Sequence, residues 1–145
     1  MDNHRSLTVL LDTNVLLVSI SSRSKYHWLY QAILNKKFNL AVTSEILTEY
    51  EEIIGKHWSP NIASNVIRSI LELPNLHFAT IYYHLQLITT DPDDDKFVDC
   101  AFASNADYII THDAHFKILE RIDFPKIPIA DILSFKRILE STNVL

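Results

Sequence analysis

Glycine is nearly absent: Gly55 is the single one in 145 residues. Neither G-x-G-x-x-G nor G-x-x-x-x-G-K-[ST] can be written with one glycine, so the glycine-rich loops that cradle phosphates, and the familiar nucleotide-cofactor sites built on them, are excluded. Cysteine is equally scarce. Cys100 stands alone, which rules out an internal disulfide and fits a reducing compartment. The longest apolar stretch, Leu7 to Ile20, is broken by Asp12 and is too short to cross a bilayer. Met1-Asp2-Asn3-His4-Arg5 carries no charged-then-apolar signal, so the sequence predicts a cytoplasmic protein with no membrane partner. Positive charge is also lacking. Thirteen basic against eighteen acidic side chains give −5, so any nucleic acid has to be held locally and not by a generally basic surface.

What is present supports one core. At about 150 residues per domain the chain predicts a single domain over residues 1–145, and its 48% apolar content suffices for folding without staples. Leu7 to Leu11, apolar on both faces, suits a strand inside a parallel sheet. Trp28, Leu29, Ala32 and Ile33 then predict a helix, and Phe38 to Val42 a second strand. Ser44 is placed to cap a helix carried by Ile46, Leu47, Tyr50, Ile53 and Ile54, and Pro60 opens another through Leu71. Asn75 to Ala79 reads as strand three, while residues 80–90 have no clean period. Asp91-Pro92 opens a helix with Asp91 as N-cap; Tyr108 to Thr111 is strand four, Ile127 to Ile129 strand five, and Ile132 to Leu139 a closing helix. The alternation of strand and helix predicts an α/β sheet covered on both faces.

In such sheets ligands bind beyond the carboxyl ends of the strands, where Asp12 and Asp113 leave strands one and four. In Asp91-Pro92-Asp93-Asp94-Asp95, capping and the helix dipole explain Asp91, Asp93 and Asp94. They explain Asp95 and Asp99 less well, because these lie one turn apart and repel unless a cation sits between them. On the preceding helix, Glu49 and Glu51 occupy opposite margins of the apolar stripe, and periodicity does not choose between them. Carboxylates gathered from separate elements need a counter-charge, and Mg²⁺ or Mn²⁺ prefers such all-oxygen donors. One or two such ions make in-line phosphodiester hydrolysis available at neutral pH. Arg23 and Lys25, in the loop beyond strand one, suit either phosphate contacts or an ordinary polar loop; His112 and His115 are too few for a zinc site.

Four segments, Val9-Leu10-Leu11-Asp12-Thr13-Asn14-Val15-Leu16, Thr43-Ser44-Glu45-Ile46-Leu47-Thr48-Glu49-Tyr50, Asp91-Pro92-Asp93-Asp94-Asp95-Lys96-Phe97 and Ala106-Asp107-Tyr108-Ile109-Ile110-Thr111-His112-Asp113, resemble in order and spacing the PIN-domain ribonucleases. Within that family they are most similar to the toxin (VapC-like) branch of bacterial toxin–antitoxin systems. The resemblance implies a three-layer α/β/α fold with a mainly parallel sheet in the order 3-2-1-4-5. It implies catalytic metal ligands Asp12, Glu49, Asp95 and Asp113, with Asp99 as a secondary candidate and Asn14, Thr13 and Thr111 bordering the site. It further implies one or two Mg²⁺ or Mn²⁺ ions, an RNA substrate, a cognate antitoxin protein and a homodimer. The competing expectation is a non-catalytic PIN-like module that binds RNA or protein. An aspartyl-phosphate enzyme is disfavoured, because Asn14 stands where a phosphatase of that kind needs a second Asp.

Overall fold

A computed structural model describes residues 6–88, 91–142 and 144–145. Met1–Arg5 and the end of the unassigned 80–90 stretch lie outside these residues. Five parallel strands, β1 (Thr8–Leu11), β2 (Asn39–Val42), β3 (Leu76–Phe78), β4 (Tyr108–Ile110) and β5 (Ile129–Ala130), form a sheet in the order β3-β2-β1-β4-β5. This is the expected order. Val9, Leu10 and Leu11 in β1, Leu40, Ala41 and Val42 in β2 and Ile109 and Ile110 in β4 are all buried, because helices cover both faces of the centre. Burial fades at the edge, where His77 and Phe78 of β3 are exposed.

Six α-helices flank the sheet: α1 (Thr13–Ile20), α2 (His27–Leu34), α3 (Ser44–His57), α4 (Pro60–Leu71), α5 (Asp95–Ser104) and α6 (Ile132–Ser141). Among the described residues none is long and apolar enough to cross a membrane. Helix α1 was not evident in the sequence because Val15 to Val18 is apolar all round. Three boundaries also differ. Thr43, not Ser44, caps α3 by accepting from the Ile46 amide at 3.2 Å. Asp91 caps a 3-10 turn, Pro92–Asp94, and α5 starts only at Asp95. Strand five comes two residues later than expected, and a 3-10 segment, Ala114–Arg121, follows Asp113.

The sole glycine is not required by the packing. A Cβ at Gly55 would meet the Ala63 Cβ at 3.7 Å and the Pro60 Cα at 3.9 Å, which is ordinary contact. Glycine inside a helix costs about 0.5–1 kcal/mol relative to alanine. Gly55→Ala is therefore expected to raise the melting temperature by about 1–4 °C, measurable by thermal denaturation.

Candidate active site

Strands β1 and β4 pair Leu11 with Ile110, so the residues that follow them emerge side by side at the carboxyl end of the sheet. The Asp12 amide continues the ladder, donating to the Ile110 carbonyl at 3.0 Å. The Thr111 hydroxyl donates to Asp12 Oδ2 at 2.9 Å, and the Thr111 hydroxyl oxygen itself accepts from the Asp113 amide at 3.0 Å. A single buried hydroxyl thus spaces two acids. Thr111, expected to border substrate, is only 6% exposed and acts on the site through Asp12 and Asp113.

Helix α3 brings the third acid. The Tyr50 hydroxyl, fully buried, donates to the Leu11 carbonyl at 2.5 Å, which fastens α3 against the end of β1. Its neighbour Glu49 then reaches the site. There the Thr13 hydroxyl donates to Oε2, and Lys96 Nζ lies 2.7 Å from Oε1. Glu51 instead lines a groove with Gly55, Pro60 and Ala63 between α3 and α4.

Asp95, expected as the fourth acid, is tied to neighbouring backbone. Asp95 Oδ1 accepts from the Ile88 amide at 2.9 Å. Asp99 Oδ1 accepts from the Leu85 amide at 2.9 Å, and its Oδ2 lies 3.2 Å from His84 Nδ1. The two acids do share one side of α5, but that side holds the irregular segment through residues 84–88. Backbone donors and His84 take the place proposed for a cation. Asp94, at the end of the 3-10 turn, is the residue whose carboxyl interacts with Asp12 and Asp113. Its Oδ2 is shut off from solvent and has no hydrogen-bond partner among the described residues. The nearest cationic candidate is His115 Nδ1 at 3.6 Å, which is also 3.4 Å from Asp113 Oδ1 and 4.0 Å from Asp91 Oδ2. One ligand atom from each of Asp91, Asp94 and His115 falls within 4.8 Å of the others. Sequence reasoning missed Asp94 and His115. The signal available for His115 was its position two residues after Asp113.

Electrostatics reflect this crowding. Burial raises the Asp12 carboxyl above the usual range, opposed by the Thr111 hydroxyl and the Thr13 amide and reinforced by Asp113 and Glu49. Burial, with Asp91, Asp113 and Asp12, pushes Asp94 up to about 6, while His115 pulls the other way. An all-carboxylate set, an orphaned buried oxygen and two acids reluctant to ionise together fit a hard divalent cation. Asn14 lines a cavity with Asp12, Asp113, Tyr26 and His112, and Lys25 sits over the Tyr26 ring at 5.1 Å. Arg23 is exposed on the same loop. His112 is not merely solvated, since its Nε2 accepts from the Ile132 amide at 3.2 Å.

A search of curated proteins returned no match. Among solved structures, the chain is similar to one described as the crystal structure of VapBC2 from Rickettsia felis bound to a DNA fragment from their promoter. The TM-score is 0.60 and the identity 18%, over 86% of this chain and 98% of that one. At that identity the likeness is one of fold. The sequence profile described as PIN domain matches residues 8–115, taking in β1 through the turn after β4 and with them Asp12, Glu49, Asp94, Asp95 and Asp113. The chain belongs to the PIN domain family.

Proposed function

We propose that this protein is a metal-dependent ribonuclease, the toxin of a toxin–antitoxin pair, with Asp12, Glu49, Asp94 and Asp113 as the residues that hold one or two Mg²⁺ or Mn²⁺ ions. The observation that carries this reading is the electrostatic coupling of acids from β1, α3, the turn before α5 and the end of β4, one of them with a buried oxygen that has no hydrogen-bond partner among the described residues. The ion supplies counter-charge, polarises a phosphodiester and makes a nucleophile available near neutral pH. The chain's own groups orient that chemistry: Thr111 holds Asp12, Tyr50 sets Glu49 beside it, and Lys96 offsets part of the negative charge. Asp95 and Asp99 position the turn carrying Asp94 by anchoring the segment packed on α5. Residues 1–145 are read as one such domain, and the partner as a cognate antitoxin, in line with the VapBC2 likeness.

The test is purified protein with Mn²⁺ against a mixed RNA pool, with the cut ends sequenced. Cleavage at defined sites that EDTA abolishes supports the reading. Binding without turnover favours the non-catalytic module, and cleavage that persists in EDTA overturns the metal.

The raised Asp94 carboxyl gives a signed pH dependence. Below about 6 it keeps a proton that an incoming ion has to displace, so Mn²⁺ affinity is expected to fall by up to about tenfold per pH unit there and to level off above. Between the unperturbed carboxylate value of 3.8 and about 6 the folded state binds more protons at this group than the unfolded state. The metal-free protein is therefore expected to lose stability as pH rises through that window. Calorimetric titration and melting curves from pH 4.5 to 7.5 check both signs.

A further inference from the structure

We propose that the cavity beside Asp12 and Asp113 is a nucleobase subsite, in which Tyr26 and His112 hold one unpaired base of the RNA next to the phosphodiester on which the acids act. The inference rests on the ribonuclease reading and specifies where its substrate is gripped.

The cavity measures about 300 Å³, the lower end of the range for small-ligand sites, and the two acids form one of its walls. Two rings line it as well. The rings of Tyr26 and His112 stand edge to face, with centroids 6.0 Å apart and planes at 68°. The imidazole is fixed: because Nε2 accepts from the first amide of α6, the neutral ring carries its proton on Nδ1, leaving a donor available. Val18 supplies an apolar surface that is 40% exposed, and Asn14, also exposed, supplies both an amide donor and an acceptor.

Exposed aromatic and apolar surface beside a set of carboxylates is costly to leave open unless something flat and partly polar covers it, and a nucleobase has that character. Lys25 completes the arrangement. Its ammonium lies 5.1 Å from the Tyr26 ring centroid, and no carboxylate pairs with it among the described residues, so it is free to meet the phosphate of the nucleotide stacked there. The chain's overall charge of −5 makes such local grips necessary.

The test keeps the protein intact and alters the RNA. A single-stranded oligonucleotide that the protein binds is remade with one abasic nucleotide at each position in turn. KM is measured with Mn²⁺, and binding by fluorescence anisotropy with Ca²⁺ in its place. Loss of the base at one position is expected to weaken binding and raise KM by between about fivefold and 150-fold, with the other positions little affected. Tyr26→Leu keeps apolar bulk against the core and is expected to remove that difference, binding intact and abasic RNA equally, with Mn²⁺ affinity and melting temperature retained.

Losses that are the same at every position, or a Tyr26→Leu protein that keeps the full abasic penalty, overturn the subsite and leave the aromatic corner to a partner protein. Cleavage combined with position-independent binding sinks the subsite alone. Position-dependent binding without any cleavage sinks the ribonuclease reading alone.

Discussion

On the proposed reading, the Asp12→Asn protein is expected to fold and to cleave RNA about a thousandfold more slowly than its parent. The substitution is nearly isosteric, and the amide oxygen can still accept from the Thr111 hydroxyl that now reaches Oδ2 at 2.9 Å. The position is 9% exposed, and burial disfavours the carboxylate, so removing its charge relieves the metal-free protein of a desolvation cost. What is lost is the central anionic ligand. Counter-charge and polarisation by a divalent ion are worth several kcal/mol in a hydrolytic transition state, and each 1.36 kcal/mol is tenfold in rate. Two measurements separate this from unfolding. The metal-free melting temperature should be unchanged or higher, and the rise that Mn²⁺ produces in the parent should vanish. An Asp12→Asn protein that cuts RNA at the parental rate would remove Asp12 from the mechanism.

Neighbouring residues in one turn provide the second large contrast. Asp94→Asn is expected to lower cleavage by about 10²–10³-fold, because it removes the carboxyl that shares a field with Asp12 and Asp113 and whose inner oxygen has no other partner. Asp95→Asn is expected to stay within about threefold of the parent in rate. Its amide oxygen can still accept from the Ile88 backbone, and the weakened anchor costs about 1 kcal/mol of stability. Steady-state kinetics on both proteins decides the assignment. The reverse ranking would return the role to Asp95, as the family resemblance first implied.

Asp95 is what the family resemblance implies, and its one-turn spacing from Asp99 on α5 is compatible with that. Pro92–Asp94 is a 3-10 turn with about three residues per turn, which sends Asp94 in a direction that α-helical spacing does not predict. Composition gives no warning of that, since Asp91-Pro92 opens either kind of turn. The sheet was far more legible. Val9 to Leu11 and Tyr108 to Ile110 are buried on both faces, so their apolar runs announced central parallel strands, and the acids directly after them were placed by that alone. The choice of Glu49 over Glu51 needed the family pattern, because each stands at a margin of the α3 stripe; Tyr50 and Thr13 are what turn Glu49 inward. Helix α1 and the 3-10 segment after Asp113 were invisible for opposite reasons. The first has no polar face, and the second buries only Phe116 and Leu119, too few positions to mark an element.

Lys96 lies against Glu49 with a side chain only 11% exposed, and Thr13 and Thr111 already satisfy oxygens of Glu49 and Asp12. Most of the acidic mouth is thus stabilised by groups the chain carries with it, and the buried apolar core packs without any contribution from an ion. In a zinc finger the ion is a structural strut, and chelation dismantles the protein. On the proposed reading the ion would be closer to a tool in a standing hand: chelation is expected to abolish cleavage and to leave the protein folded, ready to be rearmed.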